Sequence, residues 1–223
     1  MTAPLEQVAF DIETTGFGVD DEVTVAGFAL PMGVRVFVQT GGRDVEGLEA
    51  AVRERVDRHV GVSIHSGERE LLEAVGEFAI ERFRDSDVLL VAYNGETWKA
   101  GFDLPFLRTR LARSDVAWPF RDVPYADLMP VVTQRFNTTT GEDGSQSDLV
   151  SVYDTLCRGE YSNLDPFEDS AEAVTAFKEA RFEPLVLHNV ADVLRTRKLG
   201  RLAQSYCSKS DFSLKSLTPT IHD

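Results

Sequence analysis

The sequence predicts an α/β fold: a central mixed sheet that includes an antiparallel three-strand meander, with flanking helices. Three observations predict it. The first forty residues hold three short runs rich in β-branched and apolar residues, amphipathic helical patterns follow, and one continuous apolar run, Asp87–Tyr93, falls between two of them. A chain of 223 residues, 43% of them hydrophobic, is long enough to bury such a core in one domain.

The elements follow in order. Val8-Ala-Phe-Asp-Ile-Glu-Thr-Thr-Gly16 reads as a strand ending in a turn. Residues Glu22–Leu30 and Gly33–Thr40 read as two more strands, joined by Pro31-Met32 and closed by Gly41-Gly42. Val45–Val60 and Glu68–Phe83 carry helical periodicity with charged outer faces. After Asp87 the run to Tyr93 is continuously apolar, as expected of a strand buried on both faces, and Asn94-Gly95 ends it. Asp103–Ala112 reads as a helix, and Val123–Phe136 as a short extended piece running into another, with Asp127 a cap or surface acid. The polar, Gly-bearing residues 137–147 read as a loop, Leu149–Cys157 as a short helix and Leu164–Ser170 as a turn. Ser170 is placed to cap a helix over Ala171–Ala180, and Pro184 to open a long one from Leu185 to about Tyr206. Residues 1–207 are expected to form one domain, and 208–223 a poorly ordered polar tail.

Composition narrows the setting. The formal net charge is -14, and the cations are 18 Arg against 5 Lys. An acidic, lysine-poor surface points to a high-salt cytoplasm, where negative charge favours solubility and is strongly screened. The same charge opposes binding of a polyanion at low salt. There is no run of 18 apolar residues and no basic-then-apolar leader, so a cytoplasmic protein with no membrane partner is expected. Cys157 and Cys207 lack metal-ligand spacing and read as reduced, structural thiols.

Three places carry candidate chemistry. Asp11 and Glu13, two apart on a strand, point to the same face, where paired carboxylates call for a divalent cation. In a chain with 37 acids such a triplet also arises by chance. Asp103 stands at a helix N-terminus, where an acid serves either as cap or as ligand, and Asn94 at an ordinary Asn-Gly turn. His188 and Asp192, four apart, share a face of the long helix beside Leu187, Val190, Ala191 and Leu194. That spacing fits either a simple helical contact or a site. His59, His65 and His222 sit among charged or polar residues and carry no such signal.

With these residues in hand, the chain resembles the DEDD 3'–5' exonuclease superfamily, of ribonuclease H-like fold, over roughly residues 5 to 205. Phe10–Gly16 looks like its first motif, Tyr93-Asn94-Gly95 with Phe102–Leu107 like its second, and His188-Asn189-x-x-Asp192 like its third, as in the branch of predicted ribonuclease H-like exonucleases. The resemblance implies a 3'–5' exonuclease acting on the 3' end of DNA or RNA, with Asp11, Glu13, Asp103 and Asp192 holding two divalent ions, Mg²⁺ or Mn²⁺. It implies His188 as the proton acceptor for the attacking water, and Thr14, Thr15 and Asn94 as contacts to the terminal nucleotide. Hard oxygen ligands suit these cations, and two of them can clamp both oxygens of a phosphodiester exchange.

Two departures stand out. Three residues separate His188 from Asp192, a spacing the superfamily's tyrosine branch shows, whereas its histidine branch usually has four. The loop between Asn94 and Asp103 is also longer than usual and carries Trp98, which either stacks on a base or covers the core edge. The rival readings are a structure-specific endonuclease using the same carboxylates, and an inactive nucleic-acid-binding scaffold of this fold.

Overall fold

In the computed structural model, residues 5–84, 86–96, 102–141 and 144–221 are described. They form a seven-stranded mixed sheet with helices on both faces. The strands are β1 (Glu6–Thr14), β2 (Val23–Leu30), β3 (Gly33–Gln39), β4 (Val60–His65), β5 (Val88–Ala92), β6 (Pro124–Asp127) and β7 (Lys215–Ser216), in spatial order β4-β3-β2-β1-β5-β6-β7. The first three form the expected antiparallel meander. Pairs β1/β5, β5/β6 and β3/β4 are parallel, and β7 closes the β6 edge antiparallel.

The helices are α1 (Leu48–Arg55), α2 (Glu68–Phe83), α3 (Asp103–Arg113), α4 (Leu128–Arg135), α5 (Leu149–Cys157), α6 (Ala171–Lys178) and α7 (Phe182–Tyr206). Strand alternation divides the core in two. Val8, Phe10 and Ile12 of β1 pack with Leu71 and Leu72 of α2 and Leu104 and Leu107 of α3. Ala9 faces the other way, into the layer built by α7 with α1, α5 and α6. Asp11 and Glu13 share the Ala9 face, so the same period that buries Phe10 and Ile12 turns both acids toward α7. The parallel strands β1, β5 and β6 have their carboxyl ends on one side of the sheet, at Thr14, Ala92 and Asp127, with β1 running past the end of β5, and such carboxyl-end crevices are where open α/β sheets place ligands.

A buried ion pair ties the two layers of one face. Glu68 at the start of α2 accepts from the backbone N–H of Val23 (2.8 Å) and from Arg110 Nε (2.8 Å) and Nη2 (2.6 Å) on α3.

Four expectations need correction. The Val45–Val60 helix is only α1, and Val60–His65 is a strand parallel to β3. Its Val60-x-Val62-x-Ile64 alternation, adjoining a helical pattern, marks an edge strand, with Ile64 exposed. Ser170 makes no capping bond with its side chain; Asp169 Oδ1 accepts from Ala171 N at 2.9 Å instead. Helix α7 starts at Phe182, three residues earlier than expected, leaving Pro184 in the first turn, where its missing N–H costs nothing. The chain after α7 is ordered as far as it is described. Ser208 and Asp211 cap each other around a 3₁₀ turn, Phe212 and Leu217 are buried, and β7 pairs with β6. Two apolar anchors in a polar stretch suffice to dock it. Among the described residues no helix is long and apolar enough to cross a membrane, and Cys157 and Cys207 are unpaired thiols.

Candidate metal centre

Helix α7 lies across β1 and β2 closely enough to bring its side chains onto the acids of β1. The close approach depends on Gly27, which pairs with Asp11 in the β1/β2 register. A Cβ there would stand 1.9 Å from Asn189 Oδ1. With no side chain in the way, Asn189 is fully buried and its Nδ2 donates to Asp11 Oδ2 at 2.8 Å, with a longer contact to Asp11 O at 3.3 Å.

One turn of α7 presents His188 and Asp192 to Glu13. His188 Nε2 is 3.8 Å from Glu13 Oε1 and 3.8 Å from Asp192 Oδ2. Ligand atoms of these three residues lie within 4.8 Å of one another, the spacing of a cation site. Asp103, the first residue of α3, is buried at the end of β5, and its charge is felt by Asp11.

The electrostatics follow from crowding. Burial, and then the charges of Asp103, Glu13 and Asp192, hold Asp11 well above the usual carboxylate range. Asp103 is raised by burial and by Glu13, Asp127 and Asp192. Burial lifts Glu13 to about 7 against the pull of His188. Asp192 is raised by burial, although His188 and Arg195 act the other way. Burial would lower the imidazole of His188, but Glu13, the Asp165 hydrogen bond and Asp192 outweigh it and bring it to about 9. Four buried or half-buried carboxyl groups pushed upward in one place amount to a deficit of positive charge.

Two residues that the sequence reasoning passed over organise this site. Asp165, in the turn before α6, accepts from His188 Nδ1 at 2.8 Å and from Arg195 Nη1 at 2.6 Å. These bonds hold its carboxyl below the usual range despite burial. An ionised carboxylate can only accept, so Nδ1 carries the proton and Nε2 faces Glu13 and Asp192. Arg195, 2% exposed, also donates to Asp192 Oδ1 at 2.6 Å and so bridges the two acids. Arg195 lies three residues after Asp192 and seven after His188, on one helix face, so its periodicity was readable. Asp165 sits in an irregular turn and left no periodic signal.

The remaining candidates occupy the rim. Thr14 Oγ1 donates to Gly16 O (2.7 Å), and Thr15 Oγ1 donates to Asp21 Oδ1 (2.9 Å) and accepts from Glu22 N (3.0 Å). Both hydroxyls thus shape the turn after β1. Asn94, at φ 64°, donates its backbone N–H to Asp127 Oδ1 at 2.8 Å. Asp127 is indeed a cap, accepting from Met129 N at 3.1 Å at the start of α4, and is buried beside Asp103 rather than on the surface. Trp98 lies outside the described residues.

No protein-family model matches the chain, and no curated protein matches it.

Proposed function

We propose that this protein is a metal-dependent nuclease of ribonuclease H-like fold, most plainly a 3'–5' exonuclease on DNA or RNA. The observation that carries the reading is the set of Asp11, Glu13, Asp103 and Asp192 from β1, α3 and α7, Glu13 and Asp103 buried and Asp11 and Asp192 half-buried, whose charges act on one another. The donor chemistry fits a divalent cation: hard carboxylate oxygens, too many negative charges for one place, and only His188 and Arg195 as opposing cations among the described residues. These four acids would hold Mg²⁺ or Mn²⁺, two ions in the full reading. Bound there, the ions would activate water and stabilise the departing 3'-oxygen of a phosphodiester.

The chain's own residues have separable tasks in this reading. Asn189 fixes the Asp11 carboxylate, and Arg195 fixes that of Asp192. Asp165 orients His188 so that Nε2 points into the site. His188 accepts a proton there once the negative charge that keeps it protonated is neutralised, and the turn of Thr14 and Thr15 borders the place where the strand end would lie. A second role for the same imidazole, direct ligation, is favoured by its closeness to Glu13 and Asp192 and by its Asp165 partner, an arrangement typical of metal-bound histidines.

The test is incubation of 5'-labelled single-stranded and duplex DNA and RNA with Mn²⁺, at low and molar salt, beside Asp11→Ala and Asp103→Ala. A ladder shrinking from the 3' end, absent in both variants, is expected. Cuts in a circular substrate would indicate an endonuclease, binding without cleavage a scaffold, and full activity in both variants would overturn the carboxylate assignment.

A further inference from the structure

At the opposite end of α7 lies a second feature, apart from the carboxylates and independent of the nuclease reading. A cavity of about 520 Å³ is lined by Arg58, Arg158, Tyr161, Arg197, Lys198 and Arg201. Its place in the fold is fixed by Arg197, which donates to Gln7 O and pairs with Glu6 (3.0 Å) at the start of β1, whereas Asn189 reaches Asp11 farther along the same strand. Five of the chain's 23 cations therefore meet in one cavity of a protein with a net charge of -14.

Acids answer only part of this charge, with Glu160 also feeling the charge of Arg58. Glu6 pairs with Arg197 and Glu160 with Lys198 (2.9 Å), but Arg58, Arg158 and Arg201 make no ion pair among the described residues. Arg58 instead lies 5.8 Å from the Tyr161 ring centre. Arg158 ends α5 in the left-handed region at φ 62°, a conformation that costs an arginine about 1–2 kcal/mol relative to ordinary backbone. The cations also oppose one another. Burial first, with smaller contributions from Arg201 and Arg58, holds the Arg197 guanidinium below its ordinary range against the pull of Glu6. Arg197 is buried at the base of this cleft and the exposed Arg58, Arg158, Lys198 and Arg201 line its sides, a cationic lining around a space of ordinary ligand size that an anion would complement.

We propose that this cavity binds phosphate groups. Arginine forks match phosphate oxygens bidentately, and Tyr161 adds an aromatic wall beside them. The phosphate can come from a nucleic-acid backbone or from a free phosphorylated ligand, and binding measured in EDTA separates the two without turnover. The probes are a fluorescein-labelled dT₁₂ and pyrophosphate, used across about 0.05–0.3 M salt on the full chain. The variants are Arg158→Gln/Arg201→Gln and, as a control of equal charge loss at the C-terminal end of α2, Arg82→Gln/Arg84→Gln. A backbone site predicts about tenfold weaker dT₁₂ binding in the first variant and a salt slope shallower by about 1.4, two phosphate contacts at 0.7 each, with the control unaffected. A free-ligand site predicts that pyrophosphate raises the Tm of the wild type and of the control but not of Arg158→Gln/Arg201→Gln, with dT₁₂ binding unchanged. The proposal is overturned if neither probe binds the wild type, if both bind Arg158→Gln/Arg201→Gln as well as the wild type, or if the control loses as much.

Discussion

Replacing Glu13 by Gln tests whether the carboxylates are a burden on the metal-free fold. The substitution keeps the side-chain shape and removes one charge. Burial raises the Glu13 carboxyl from the ordinary 4.5 to about 7, and the attraction of His188 is already contained in that value. A group raised on folding favours the folded state below pH 4.5, and that benefit disappears as pH climbs through 7. At 1.36 kcal/mol per pH unit, the ionised carboxylate costs the fold about 3 kcal/mol at pH 8 and about 1 kcal/mol at pH 5.5. For a chain of this size each kcal/mol moves Tm by about 2–4 °C. Glu13→Gln in EDTA is therefore expected to melt about 6–12 °C above the wild type at pH 8, and only a few degrees above it at pH 5.5. Circular dichroism melts at the two pH values measure this directly. A Tm at pH 8 that is unchanged or lower would refute the reasoning, because the carboxylate would then carry no net penalty. Adding Mn²⁺ examines the metal reading separately: the wild type should gain stability, about 2.7 kcal/mol at a hundredfold excess over Kd, and Glu13→Gln should gain less.

Other outcomes follow from the packing. Gly27→Ala drives a methyl into Asn189 and should cost about 1–3 kcal/mol by urea denaturation, with Asp11 losing its hydrogen bond; an unchanged midpoint would mean that α7 does not need the close approach. Glu68→Gln leaves the Arg110 guanidinium largely buried without its counter-charge, so a loss of about 3 kcal/mol is expected in the same assay, near the lower end for broken buried pairs because both partners keep slight exposure. Phe212→Ala should destabilise by about 3 kcal/mol if the segment after α7 is docked as described, and by almost nothing if that segment is loose. Asp165→Asn removes the carboxylate that orients His188; in the nuclease assay it should lower the rate and shift the acid limb of the pH profile, and an unshifted profile would assign Asp165 a purely structural role.

How much of this was readable beforehand depended on local period. Asp11 and Glu13 show themselves because a strand repeats every two residues, and His188 with Asp192 because a helix turns in 3.6. Asp103 was visible as the acid at a loop-to-helix junction. Asp165 was not, since its partners lie 23 and 30 residues away and nothing in its own turn repeats. Strand β4 was hidden differently: its Val60-x-Val62-x-Ile64 alternation is short and runs on directly from the charged helical pattern that precedes it. The convergence of the acids is a long-range outcome of sheet order, which local patterns constrain without determining.

The reliance of β1 on α7 also has a consequence during synthesis. Asp11 and its partner Asn189 are separated by 178 residues, so at 5–20 residues per second the ribosome needs roughly 10–35 s to make the second after the first. Throughout that interval the nascent strand carries its two acids without the helix that will enclose them. The site is therefore completed only once α7 has been made, and a chain released before Asn189 lacks the helix side of it.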